Sequence, residues 1–181
     1  MSSVTKLEAV ESQLEAAAFL MLRTFQPEPI HTLISASRGI LYDLSKKAGK
    51  TLLDKWDQSV LRLVFKTDKL GDIRFYQNYA SNFLKHANRD AELSLRTDGL
   101  AVWNKVDLQL CLLALGDLGR ETSFRLQLVF LYLCLLDGSI IPADLFEKIL
   151  GKTPTEAQVE LEVKDAIELK HVCLTAFEMV A

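Results

Sequence analysis

Two neighbouring stretches, VWNKVDLQLCLLALGDL (Val102–Leu118) and TSFRLQLVFLYLCLL (Thr122–Leu136), decide the fold class. Apolar residues occupy most registers in both, with no one-sided stripe. A helix that is hydrophobic nearly all round belongs in the middle of its bundle. Gly116, Gly119, Gly138 and Pro142 punctuate the two stretches, as breakers between helices do. Leucine and alanine dominate the whole chain, against eight glycines and four prolines. That balance favours helices over a turn-rich β architecture. The expectation is an all-α helical bundle with two central apolar helices.

Upstream, Thr5 and Glu8 have capping-box spacing, which satisfies free N–H groups where a helix begins. Leu7, Val10, Leu14, Ala17, Met21 and Phe25 then recur at helical steps along one face. Gln26-Pro27-Glu28-Pro29 breaks the chain and suits the opening of a second helix. That helix carries Ile30, Ile34, Ser37, Leu41 and Leu44 on one stripe and stops near Gly49. The pair reads as a helical hairpin. Further helices are expected over 52–65 and 72–88, with an extended crossover from Arg89 to Gly99. A short helix around 143–150 and a long one over 155–179 complete the chain. No internal repeat or linker interrupts it, so residues 1–181 read as a single domain.

Hydrophobic residues make up 49% and charged residues 25% of the 181, a globular composition. The formal net charge of −3 gives no global attraction to nucleic acid or to an anionic membrane. Cys111, Cys134 and Cys173 sit among apolar residues without CxxC spacing and read as buried free thiols. The N-terminal MSSVTKLEAVESQLEAAAFLM lacks the basic region of a signal peptide, and the longest apolar run, Leu128–Leu136, is too short for a bilayer. A cytoplasmic protein with no membrane partner is expected.

Gly49-Lys50-Thr51 and Gly151-Lys152-Thr153 invite a phosphate-loop reading. The motif needs a glycine five positions earlier so that backbone N–H groups wrap the phosphates; Leu44 and Phe146 stand there instead. Both read as plain turns. No HExxH, GxSxG or glycine-rich dinucleotide turn occurs, and no cofactor is implied.

The polar segment that stands out is Asn82-Phe83-Leu84-Lys85-His86-Ala87-Asn88-Arg89-Asp90. At about 3.6 residues per turn, Tyr79, Asn82, His86 and Arg89 or Asp90 share a face beside the apolar stripe. Imidazole changes protonation near neutral pH, and a nearby carboxylate raises its basicity, which makes His86 the candidate acid–base group. Lys85 and Arg89 supply positive charge for an anionic ligand. The plainer reading is a helix end, where cations complement the negative pole of the dipole. His31 lies early in the second helix on the flank shared by Ser35 and Arg38, and reads either as a satisfied core histidine or as a partner for His86. His31, His86 and Asp90 together have the donors of a metal site, were they to converge. His171 reads as structural.

These residues also carry a resemblance. The opening hairpin, with Lys6-Leu7-Glu8-Ala9 and Ile30-His31-Thr32-Leu33, followed by the segment Asn82–Asp90, resembles a family of small, uncharacterised bacterial proteins. In that family an IHTL helix and an N-F-x-K-H-A-x-R-D segment recur, which implicates His31, Asn82, Lys85, His86, Arg89 and Asp90 as the recurring polar set. More distantly, Asn82-x-x-x-His86 on a helix is similar to HEPN domains, many of which are dimeric ribonucleases of toxin and defence systems. Their arginine falls shortly before the histidine, where this chain has Ala80, Ser81 and Asn82; Arg74 lies further upstream and Arg89 follows. The resemblance therefore implies a binding-only relative.

The leading expectation is a cytosolic module that binds a protein partner or a small anionic ligand through the His86 face. The alternatives are a HEPN-like ribonuclease or nucleotide-binding protein, the one reading with a nucleic-acid partner, and metal-dependent chemistry at His31, His86 and Asp90. A homodimer is compatible with the narrow stripe of the first helix.

Overall fold

The computed structural model describes residues 3–23, 26–53, 55, 80–84, 95, 97, 99–136, 156 and 166–179. Among these residues five helices and no strand occur: α1 (Lys6–Leu22), α2 (Pro27–Lys47), α3 (Leu100–Asp117), α4 (Phe124–Leu136) and α5 (Ala166–Glu178). The fold is an all-α bundle. None of these helices is long and apolar enough to cross a membrane.

Local chemistry sets the helix ends. At the start of α1 the Thr5 hydroxyl accepts from the Glu8 N–H at 3.2 Å, while the Glu8 carboxylate accepts from the Thr5 N–H at 2.7 Å. That reciprocal bond holds the Glu8 carboxyl below its ordinary value, because the backbone donor favours the charged form. Pro27 opens α2, where its missing N–H costs nothing. At the other end, Gly49 turns left-handed at φ 67°, with Lys50 N–H bonded to Ser45 O and Gly49 N–H to Lys46 O. Gly119 repeats the same double bond at the end of α3, to Leu115 O and Gly116 O, at φ 74°. Both are Schellman stops. Gly49-Lys50-Thr51 is thus a helix terminus, and the Lys50 ammonium lies 3.8 Å from the Asp117 carboxylate. The fourth helix begins at Phe124 rather than Thr122, because the Ser123 hydroxyl accepts from the Leu126 N–H.

The long helix expected over 155–179 is described from Ala166 to Glu178, with Glu156 also helical; the expected helices at 52–65 and 72–88 are described only at 52, 53 and 55 and at 80–84. Leu95 and Thr97 carry no regular structure. The rest of these segments, the 143–150 helix and Gly151-Lys152-Thr153 lie outside the described residues.

Packing follows the apolar faces. Val10, Leu14, Ala17, Ala18 and Leu22 of α1 are buried, as are Ile30, Ile34 and Leu41 of α2, and the two helices run antiparallel. Fully burying each of the larger side chains contributes about 1.5–3 kcal/mol. The α1 stripe that fits a coiled-coil seam is therefore covered within the chain. Every residue from Val106 to Leu115 of α3 is buried, so that part of the helix is enclosed around its whole circumference. On α4, Leu126 and Leu128–Leu131 are buried, with Leu133. The thiols of Cys111 and Cys173 are buried and that of Cys134 half-buried.

Polar clips orient α1 against α4 and α5. Arg120 forks onto Glu11 at 2.9 and 3.0 Å. Arg125 donates to Ala176 O, stacks over Phe177 and lies 3.5 Å from Glu15, which also accepts the Ser123 hydroxyl at 2.6 Å. Arg23 stacks on Phe19 and pairs with Glu178.

Two glycines give opposite expectations. Gly39 is exposed inside α2, and a Cβ there meets nothing within 4 Å. Gly39→Ala should raise stability by about 0.5–1 kcal/mol in urea unfolding through reduced freedom of the unfolded chain. Gly119 has equal space but positive φ, so Gly119→Ala should lower stability by about 1–2 kcal/mol. Equal responses at the two positions would contradict the Schellman assignment.

Candidate functional site

The stripe of α2 formed by His31, Ser35 and Arg38 faces α3. His31 is 1% exposed, and its Nδ1 lies 3.0 Å from Oδ1 of Asn104, which is also 1% exposed. The Asn104 amide is oriented by its other end, where Nδ2 donates to Pro27 O at 2.7 Å. Because Oδ1 only accepts, His31 Nδ1–H is the donor, and in the neutral ring Nε2 accepts the Ser35 hydroxyl at 3.1 Å. Both ring nitrogens are engaged, which is what a buried imidazole requires. One turn along α3, the buried Asp107 lies 3.6 Å from Arg38. With Lys50 beside Asp117 at the far end, these contacts show that α2 and α3 run parallel.

His31 therefore occupies the satisfied-core position of its two readings. Metal binding there would require one ring nitrogen to give up its partner. Asn82 is exposed on the helical turn 80–84, whose Ala80 is buried. His86, Lys85, Arg89 and Asp90 lie outside the described residues, and with them the convergence of His31 and His86. The described residues hold no cluster of three or more His, Cys, Asp or Glu side chains suited to a metal ion. His171 is exposed on α5.

A recess formed by the described residues lies where helix ends converge. It is a cavity of about 330 Å³ lined by Met21 of α1, Pro27 and Ile30 of α2, Ala101, Asn104 and Lys105 of α3, Tyr132 and Leu136 of α4, and Lys170 of α5. This volume falls at the small end of ligand pockets, roughly 300–1,000 Å³. Its walls are mainly apolar, and its polar groups are an amide, two ammonium groups and a phenol. Among the described residues no carboxylate lines it. Asn104 belongs both to this wall and to the His31 network, so the α2–α3 hydrogen bond fixes one wall of the recess.

Asn104, Lys105, Tyr132 and Lys170 were not legible as a site beforehand. The usable signal is Asn104 and Asp107, two buried polar residues three apart on α3, facing the His31 and Arg38 flank of α2. No family model matches the chain, and no curated protein or solved structure matches it.

The thiols are unsuited to catalysis. Burial pushes Cys134 and Cys173 up to about 12, leaving roughly one part in ten thousand as thiolate at pH 8. Native protein should react slowly with an aromatic disulfide reagent at pH 8, and all three cysteines should react at once in guanidinium. Prompt reaction of the native thiols would contradict their burial. Asn104→Leu strands His31 Nδ1–H and should lower stability by about 1–3 kcal/mol. The double variant with His31→Leu should lose less than the sum of the singles, by about 0.5–3 kcal/mol. Simple additivity in urea titrations would mean that the pair is not coupled.

Proposed function

We propose that this chain is a non-catalytic ligand-binding module of the cytosol, with its site in the cavity between the end of α1, the starts of α2 and α3, and the end of α4. One observation carries the reading: a mainly apolar recess of about 330 Å³ has a wall fixed by a buried, fully oriented amide. Pockets that bind small molecules combine apolar walls with a few positioned polar groups. The His31–Asn104 bond supplies that positioning before any ligand arrives, which lowers the ordering cost of binding. The His31 ring, held between Asn104 and Ser35, serves here as a support and not as an acid–base group. The ribonuclease and metal alternatives draw no comparable support from the described residues.

Ala101 offers a direct test, since it lies on the cavity wall and is exposed in the first turn of α3. A neutral fluorescent probe such as 1-aminoanthracene should bind the wild-type protein at one site. Ala101→Trp, which fills the recess from its rim, should weaken that binding at least about tenfold while circular dichroism stays unchanged. Undiminished binding in the variant, or no binding to the wild type, defeats the proposal.

A further inference from the structure

The cavity wall carries one polar side chain that cannot turn to suit what enters. Asn104 is 1% exposed and held at both ends, Oδ1 by His31 Nδ1 at 3.0 Å and Nδ2 by Pro27 O at 2.7 Å. Its oxygen and nitrogen are told apart by these partners, because Pro27 O only accepts. Pro27 lines the cavity and His31 does not, so the amide turns its oxygen into the core and its nitrogen toward the recess. An amide nitrogen has two N–H groups. One is bonded to Pro27 O, and the other has no hydrogen-bond partner among the described residues. Lys105 and Lys170 also reach the wall, but each on a flexible four-carbon stem that fixes no direction.

That second N–H discriminates between guests. A buried donor left without an acceptor costs about 1–3 kcal/mol. Water can enter a recess of about 330 Å³ and accept the bond, but a wholly apolar guest displaces the water and strands the donor. A guest with an oxygen at the same place restores the bond. An alcohol serves less well than a carbonyl, since its own O–H then needs an acceptor. The two carbonyl oxygens of this network, Asn104 Oδ1 and Pro27 O, each accept a bond already. A single neutral N–H matches the oxygen of a neutral carbonyl, whereas a carboxylate has about four lone-pair sites to satisfy.

Resting on the cavity-binding reading above, we infer that the ligand is a small, mainly apolar molecule bearing one neutral carbonyl group, such as a ketone, an ester or a tertiary amide. Its oxygen accepts the second Asn104 Nδ2–H, and its hydrocarbon body lies against Met21, Ile30 and Leu136. Asn104 is then the residue that sets specificity, and His31 orients it from the core side.

The pair 2-heptanone and 2-methyl-1-heptene tests this, because the two differ only in an oxygen against a methylene. The ketone should displace 1-aminoanthracene from the wild-type protein. At saturation it should move the second Asn104 Nδ2 proton downfield in the ¹H–¹⁵N spectrum, and the alkene should not. The C=O stretch of the bound ketone should fall below its frequency in dry hydrocarbon, and Lys170→Met should leave that fall in place. A ketone that does not displace the probe, an unmoved Asn104 proton, an equal movement with the alkene, or a C=O stretch at its hydrocarbon position overturns the inference. Loss of the shift in Lys170→Met also overturns it, assigning the oxygen to the ammonium instead. In each of these cases the cavity reading survives so long as the probe binds and Ala101→Trp weakens it. If no probe binds the wild-type protein, both fall together.

Discussion

Where α2 meets α3, an imidazole and an amide hydrogen-bond out of reach of water, and the arrangement of this end of the molecule depends on that contact. Leucine-rich helices pack with some tolerance to sliding, because one apolar side chain replaces another at little cost. A buried donor and acceptor tolerate no such shift: moving either by one turn leaves both unsatisfied in a medium of low polarity. His31 and Asn104 therefore fix the register of two helices whose apolar residues alone would leave it loose. Arg38 beside Asp107 marks the same register one turn further. Since Asn104 also binds Pro27 O, the bond further fixes the start of α2 against the start of α3.

The clips on the other side of the bundle act differently. Arg120 with Glu11, Arg125 with Glu15 and Arg23 with Glu178 are exposed or half-exposed, and such pairs contribute about 0–1 kcal/mol each. Their value is directional. Arg125 joins α4 to a carbonyl at the end of α5, to the Phe177 ring and to the Glu15 carboxylate of α1, so one side chain sets three elements at once. Cohesion comes instead from the apolar cluster that runs from Val10 and Leu14 through Leu108 to Phe130. Met21, half-buried against that cluster, lines the recess, which makes the cavity a margin of the core and not a separate compartment.

Local chemistry was readable in the sequence where the partners are neighbours along the chain. Thr5 with Glu8, Pro27 at a helix start and Gly49 at a helix stop each involve residues a few positions apart, and the structure places all three as expected. The start of α4 was misplaced by two residues, because Thr122 and Ser123 have the same hydroxyl chemistry and tertiary packing chose the second. The His31–Asn104 pair joins residues 73 positions apart, a distance over which no periodicity speaks. His31 shares its flank with Ser35 and Arg38, which marks it in the sequence, but nothing near it along the chain points to Asn104 in α3. The recess was less legible still, since five helix segments each contribute only one to three residues to it.

The parallel course of α2 and α3 has a consequence for how the chain assembles. Antiparallel neighbours such as α1 and α2 can zip together soon after each forms, as in fast-folding bundles dominated by local contacts. Two helices pointing the same way cannot be joined by a tight turn, so their meeting waits until a long stretch of chain has returned to the first one's origin. Closing a loop of that length costs about 2 kcal/mol more in chain entropy than closing one of ten residues. The α1–α2 hairpin is thus suited to form early and the imidazole–amide lock late, so the recess takes shape only as the last tertiary contacts close.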